Sequence, residues 1–191
     1  MTRIVFLFVA LFLLSCVRGR DDGSVPRETA WPRVDMPDSV YSSISAGDLR
    51  LMVNTGAKVD LSEVGEGWWV TISYGGFASP TVYITLTECG PEEIEAVLAN
   101  RLERRRLNLG SDSYELTELS LRDGWEASMA VSRGSMTTPV QILAHDDRSV
   151  LSGVLMLSVV DSLSHEPVVV APIVDAVERD VLVMLKNLDV E

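Results

Sequence analysis

Histidine is nearly missing from this chain, which has only two histidines in 191 residues. They stand in His145-Asp146-Asp147 and His165-Glu166, without the i, i+4 spacing that two metal ligands on one helix need. We interpret both as loop residues at strand ends, against a weak metal site. The sequence also has no Walker loop, no G-x-G-x-x-G and no G-x-S-x-G elbow. It therefore predicts no enzyme activity, no metal and no cofactor, and a hydrolase with an unrecognised site ranks well below a binding function.

Positive charge is scarce, with 16 Lys and Arg against 28 Asp and Glu and a formal net charge of -12. Residues 1–15 contain one charged side chain, Arg3, so the chain without them carries -13. An acidic surface of this kind repels nucleic-acid phosphates and anionic lipid head groups. We therefore predict no nucleic-acid partner, and any attachment to a membrane must come from a lipid group.

No apolar run of the sequence is long enough to cross a bilayer, which takes ~20 residues. The run Ile4 to Leu14 follows Arg3, as in the basic n-region and short h-region of an export signal. Leu13-Leu14-Ser15-Cys16 then resembles the lipobox of bacterial lipoproteins, in which the cysteine becomes the first mature residue and is acylated. We predict a signal peptide at 1–15 and a lasting lipid anchor at Cys16. The alternative is an ordinary cleaved signal whose tail contains a cysteine.

Cysteine is the other scarce residue, since only Cys16 and Cys89 are present. If Cys16 is acylated, Cys89 is the one thiol left and no intramolecular disulfide can form. No basic neighbour of Cys89 is evident that would activate the thiol, so we interpret it as a small buried or strand-end residue rather than a nucleophile.

Composition shifts divide the chain into a signal, a tether and one domain. Residues 16–40 mix Pro, Gly and charges without apolar periodicity, which predicts a tether, although Trp31 and Met36 favour partial docking. Residues 41–191 form a single predicted domain. Its strands are predicted in these segments: DLRLMVN, GEGWWVTISYGG, PTVYITLTEC, SYELTELSL, EASMAVS, PVQILAH and SVLSGVLMLSVV.

Two segments instead have the period of a helix. The first, about 91–107, has Pro91 at its start and Gly110 as its stop. Its Arg104, Arg105 and Arg106 are either a binding patch or, as we favour, cations near the negative end of the helix dipole. The second, about 172–188, starts at Pro172 and carries apolar residues at helical spacing on one face: Ile173, Val177, Val181, Leu185 and Leu188.

The order of these elements predicts an α+β fold, with a mainly antiparallel sheet of about six to seven strands packed with two helices. The segment SVLSGVLMLSVV is apolar on both alternating sets of residues, so we expect it to be a central strand covered on both faces. The second and third strand segments, joined by a short Gly/Ser/Pro loop, are expected to form a hairpin.

The lipobox together with a series of domain segments resembles the GldD lipoproteins of Bacteroidetes, in order and spacing over most of the mature chain. The segments are Tyr41, WVTISY at 69–74, TVYITLT at 81–87, Pro139-x-Gln141, DDRSVLSGVLML at 146–157, Asp161-Ser162 and PIVDAVERDVLVMLKNL at 172–188. The resemblance implies an accessory role in gliding motility or type IX secretion, without enzyme activity.

Two details bear on how far this resemblance extends. Gly47-Asp48 and Gly67-Trp68 stand where the family would lead us to expect a cysteine pair, which favours a diverged role, as in a non-gliding bacterium. Arg20-Asp21-Asp22 is similar to the short signals that send some Bacteroidetes lipoproteins to the cell surface. We nevertheless expect an anchor that faces the periplasm, with surface display as the alternative.

One pair of aromatic residues is the candidate binding surface. Alternation in the hairpin puts Trp69 on the face opposite Trp68, Val70 and Ile72, and puts Tyr83 in a polar row with Thr85 and Thr87. Trp69 and Tyr83 are then either anchors for a protein partner or core residues covered by a helix. The sequence thus predicts a lipid-anchored envelope protein that acts by protein contact. The alternative is a lipid-anchored module for a small ligand or glycan in the cleft between sheet and helix.

Overall fold

Two antiparallel sheets and two long helices make up the part of the chain that this computed structural model describes, residues 36–65, 67–110, 113–133, 138–158 and 166–190. The predicted signal at 1–15, the lipidation site Cys16, most of the tether and His165 lie outside the described residues. Met36, at the end of the predicted tether, packs against the core.

The larger sheet has seven strands: β3 (Lys58–Glu63), β4 (Gly67–Ser73), β5 (Thr81–Glu88), β6 (Glu115–Ser120), β7 (Glu126–Val131), β8 (Val140–His145) and β9 (Ser149–Met156). Their order in the sheet is β3-β4-β5-β9-β8-β7-β6, and every neighbouring pair is antiparallel. A short 3-10 helix, Arg122–Gly124, joins β6 to β7. The α+β class, the antiparallel sheet and the β4–β5 hairpin are confirmed.

The strand β9 occupies the middle of this sheet, as its apolar sequence predicts. Coverage of its two faces is unequal, because Leu151 and Leu155 on one face are fully buried whereas Met156 on the other is 45% exposed. The expectation of full coverage on both faces is therefore wrong at the Met156 end.

The smaller sheet has the order β1-β2-β10 and consists of β1 (Tyr41–Ala46), β2 (Leu49–Asn54) and β10 (Asp189–Val190). The strand predicted at DLRLMVN is confirmed as β2, in which the alternating residues Leu49, Leu51 and Val53 are buried. Strands β1 and β3 and the two-residue β10 were not predicted. Both β1 and β3 have many exposed residues and only two alternating apolar residues each, Ile44 and Ala46 in β1 and Val59 and Leu61 in β3, which is too short a pattern to indicate a strand.

The main core lies between one face of the larger sheet and a layer formed by β2 and the helix α2 (Pro167–Lys186). We call this sheet face the inner face and the opposite one the outer face. The predicted apolar face is confirmed, since all five of its residues are buried: Ile173, Val177, Val181 and Leu185 in α2 and Leu188 just after its end. Burial of this stripe holds α2 against the sheet.

Both helices differ from their predicted bounds. The helix α2 starts at Pro167 rather than Pro172 and ends at Lys186, so Pro172 lies inside it. Proline suits the first turn, where its missing N–H has no partner to lose, and Pro167 takes that role five residues earlier. The other helix, α1, spans Ile94–Leu109 and ends at Gly110 as predicted, with a positive φ of 58° at that glycine.

The start of α1 is delayed by a hydrogen-bonded turn at 91–93. The Gly90 carbonyl accepts from the N–H groups of Glu93 and Ile94, and the Glu93 carboxylate accepts from the Gly90 N–H at 3.3 Å. Pro91 therefore opens this turn rather than the regular helix. The side-chain bond of Glu93 back to Gly90 resembles one half of a capping box.

Candidate functional site

The aromatic pair singled out in the sequence lies on the outer face of the larger sheet. Trp69 is 56% exposed and Tyr83 is 47% exposed, so neither ring belongs to the core. Trp69 pairs across the β4–β5 ladder with Thr85, and Thr71 pairs with Tyr83, which places the two rings diagonally. Both rings thus lie on a partly open face, and the interpretation of the two as core residues covered by a helix is wrong.

The helix α1 crosses the same outer face, where it packs on β8 and β9. The side chains on the side toward β4 and β5 are alternately three residues and one residue apart. This spacing places them on one face of a helix with 3.6 residues per turn. This stripe consists of Glu93, Ala96, Val97, Asn100, Arg101 and Arg104. Because Ala96 and Val97 in the middle of this stripe are small, a gap remains between helix and sheet.

That gap is a groove, which we call the α1 groove. It consists of two adjoining depressions of about 620 and 540 Å³, which share Trp69, Thr85, Thr87, Ala96 and Val97. The threonines of β5 form its floor, α1 forms one wall and the Trp69 ring stands at the other. The predicted polar row on β5 is thus confirmed, and the exposed aromatic borders a concave surface.

One end of the α1 groove is cationic. Arg101 donates to the Thr87 hydroxyl with an Nη2 to Oγ1 distance of 3.2 Å, and Arg104 follows one turn later. Burial, and then the nearby Arg104 charge, lower the pKa of Arg101. Within the described part of the chain, Arg104 is exposed and has no ion pair. Two neighbouring guanidinium groups without a carboxylate partner are a ready site for an anion.

The other end of the α1 groove is acidic, because Glu88, Glu92 and Glu93 line it near the start of α1. Cys89 lies between these carboxylates and is half-buried. Burial, and then the charges of Glu93 and Asp146, raise the pKa of its thiol. This position directly after β5 agrees with the interpretation of Cys89 as a strand-end residue, and the raised pKa disfavours a reactive thiolate.

The three consecutive arginines of α1 have three different environments. Arg105 donates to the Ser128 hydroxyl at 2.7 Å, and Arg106 pairs with Glu103 at 2.7 Å. Only Arg106 lies in the last turn, because α1 continues to Leu109. The interpretation of all three as cations at the helix end is therefore wrong for Arg104 and Arg105. Arg104 lines the groove instead.

His145 lies apart from the α1 groove, at the last position of β8, as predicted for a strand-end histidine. Its Nε2 is 3.9 Å from the Glu126 carboxylate, and its Nδ1 is 3.4 Å from the Asp146 carbonyl. The Asp146 carboxylate accepts hydrogen bonds from the backbone N–H groups of Arg148 and Ser149, and these bonds shape the β8–β9 turn. Among the described residues there is no cluster of His, Cys, Asp and Glu able to hold a metal ion.

The sequence points to only one residue of the cationic end of the groove, Arg104, through the less favoured interpretation of the three arginines as a binding patch. Arg101 and Asn100 were in a segment interpreted only as a helix, and the stripe they form with Ala96 and Val97 is less apolar than a typical buried face. A half-polar helix stripe of this kind signals a groove only when the helix is known to lie on a sheet. That placement comes from tertiary packing, which one helix's pattern does not reveal.

Comparison with known proteins adds no family assignment, since no protein-family model and no curated protein matches the chain. Neither helix in the described residues has the length and hydropathy needed to cross a membrane.

Proposed function

We propose that this chain is a lipid-anchored protein of a bacterial cell envelope that acts by contact with a protein partner at its outer sheet face. The observation that carries the proposal is the exposure of Trp69 and Tyr83 on a rigid hairpin. Tryptophan, tyrosine and arginine are the residues most enriched among interface hot spots, and here Arg101 and Arg104 line a groove together with Trp69.

The attachment to the membrane rests on the lipobox that ends at Cys16. Two or more acyl chains at one residue give a lasting anchor, and they add no charge to an acidic protein that anionic lipid head groups repel. The anchor would hold the domain near the membrane by the tether at 16–40, on the periplasmic side. Together with the resemblance to GldD lipoproteins, this supports an accessory role in a gliding-motility or type IX secretion-related assembly.

Site-specific photo-crosslinking in living cells tests where the partner binds. A photoreactive phenylalanine analogue at position 83 should form a crosslinked product with an envelope protein. The same analogue at position 114 is the control, because Tyr114 is 51% exposed, close to the 47% of Tyr83, but lies before β6 at the far edge of the sheet. Equal crosslinking at both positions, or none at position 83, would contradict the proposed surface.

A second candidate function is that of a lipid-anchored module for a small ligand or glycan. The dimensions of the α1 groove favour it, because pockets of about 300–1,000 Å³ suit small ligands. Trp69 offers a ring face for stacking, while the threonine hydroxyls and Asn100 offer hydrogen bonds. A glycan retained through purification, or released from the protein on denaturation and identified by mass spectrometry, would support this candidate.

A further inference from the structure

The two ends of the α1 groove carry opposite charges on one continuous surface. Arg101 and Arg104 line one end, Glu92 and Glu93 line the other, and Trp69 borders both halves. A polyanion such as a nucleic acid or an acidic polysaccharide would meet repulsion at the glutamate end. The surface is instead complementary to a ligand that has one negative and one positive group.

The helix sets the spacing of the backbone positions that carry these charges. Glu93, the residue before α1, and Arg101 are eight residues apart, which at 1.5 Å per residue places their Cα atoms about 12 Å apart along the α1 axis. An extended chain rises about 3.3 Å per residue, so four residues cover the same length. Residues i, i+2 and i+4 of such a chain also point to the same side. One face of a short extended segment can thus present an acidic, an apolar and a basic side chain to the groove.

We infer that the α1 groove binds an extended segment of the protein partner, with an acidic and a basic side chain about four residues apart and an apolar side chain midway between them. The acidic side chain pairs with Arg101 and Arg104, the apolar one packs on Trp69, and the basic one pairs with Glu92 and Glu93. This inference rests on the proposed function, for which it names the chemistry of the partner.

The choice of a peptide segment over a compact ligand follows from the groove's shape and length. Its two halves are open depressions joined end to end along α1. A single sugar ring on Trp69 could reach only one of the charged ends, and the other end would remain unused. A segment of about five residues contacts both ends and the ring between them, so charge complementarity favours the segment.

The test uses synthetic nonapeptides and the full-length chain in detergent, observed through the indole N–H signal of Trp69 in an NMR titration. The first peptide has Asp at its third position, Leu at its fifth, Lys at its seventh and Gly elsewhere. The second has Ser in place of both charged residues, and the third has Asp in place of Lys. We expect the first to bind at least threefold more tightly than either of the others, since each exposed charge pair contributes about two- to fivefold.

Two charge-reversal variants complete this test. Arg104→Glu should weaken binding of the first peptide about five- to tenfold, because it replaces an attraction by a repulsion in the groove. Arg148→Glu is the matched control, since it makes the same charge change at a side chain that is 81% exposed and does not line the groove. Equal binding of all three peptides, or no binding of any, would overturn the inference.

The outcomes also separate this inference from the proposed function. If a partner protein crosslinks at position 83 but binds Arg104→Glu as tightly as the unchanged chain, the segment model fails and the protein contact stands. If the first peptide binds as expected but no partner crosslinks, the proposed contact fails and the groove chemistry stands. Binding of N-acetylmuramic acid, without binding of any peptide, would overturn the inference in favour of a carboxylated sugar.

Discussion

Trp69 and Tyr83 lie diagonally across the β4–β5 ladder, each opposite a threonine and both on the outer face of the larger sheet. Their backbones are held by a hairpin whose two strands both lie inside a seven-stranded sheet, while their rings remain about half exposed. Rigid aromatics lose little conformational entropy when a partner covers them. This arrangement explains how a stable sheet can present a binding surface.

The exposure of the Trp69 ring predicts that its removal affects binding much more than folding. Trp69→Ala should lower the free energy of unfolding by less than about 1.5 kcal/mol, because few core contacts are lost. Binding of the partner should fall at least tenfold, as at an interface hot spot. Urea unfolding and a quantitative pull-down measure the two effects. A fall in stability of about 3–5 kcal/mol would instead mark Trp69 as a core residue.

Adjacent residues of β9 offer a matched test of the inner and outer faces. Leu155 is fully buried and Met156 is 45% exposed. Leu155→Ala should cost about 2–5 kcal/mol of unfolding free energy, because it leaves a cavity in the core. Met156→Ala should cost less than about 1 kcal/mol. Urea denaturation of both variants checks this, and similar losses would contradict the assignment of the faces.

A buried carboxylate connects the smaller sheet to α2. The Tyr41 hydroxyl donates to Asp180 at 2.7 Å, and the Asn54 amide donates to the other oxygen of Asp180 at 3.0 Å. Tyr41→Phe removes one bond to a charged acceptor and should cost about 1.5–3 kcal/mol. Tyr114→Phe, at an exposed tyrosine, is the control and should have no measurable effect. Equal unfolding midpoints of the two variants would argue against a stabilising Tyr41–Asp180 bond.

The tyrosine Tyr74 should make stability fall at alkaline pH. Burial raises its pKa well above the ordinary value of 10.0, and the charge of Asp180 and a hydrogen bond to it raise the pKa further. The unfolded chain then loses this proton at lower pH than the folded chain does. The contribution of Tyr74 to the free energy of unfolding is therefore fully present below pH 10 and decreases as the pH rises above 10.

Urea midpoints of the unchanged chain and of Tyr74→Phe, measured from pH 8 to 11, check this prediction. The variant should show a smaller decrease above pH 10, whereas Tyr83→Phe, at an exposed ring, should follow the unchanged chain. Parallel curves for all three proteins would contradict the role of Tyr74. Tyr41, whose pKa burial also raises, contributes to the decrease that remains.

The elements predicted from the sequence are those with a strong period of their own. The four-residue spacing from Ile173 to Leu185 predicted the buried face of α2, and alternation in β4 predicted that Trp69 points away from Val70. The start of α2 was wrong because Pro167 and Pro172 both fit a first turn, and only packing selects between them. The sequence does not indicate β1 and β3, because each strand has many exposed residues and only two alternating apolar residues.

The α1 groove could be predicted only in its parts. Strand alternation places Trp69 and Thr85 on a partly open face, and the three consecutive arginines offer Arg104 as a residue of a binding patch. Their proximity depends on where α1 crosses the sheet, which is set by non-local packing on β8 and β9. Since the apolar residues of α1 are mostly half-buried or exposed, its sequence did not indicate which strands it covers.

Affinity purification from detergent-solubilised envelopes measures the anchor and the protein contact together. The unchanged chain, Cys16→Ser and Trp69→Ala would each carry a C-terminal tag, and the copurifying proteins would be quantified by mass spectrometry. We predict that motility or secretion components copurify with the unchanged chain and are lost from both variants. Recovery of the same proteins with all three chains, or of none with the unchanged chain, would contradict a lipid-anchored protein that acts through its outer sheet face.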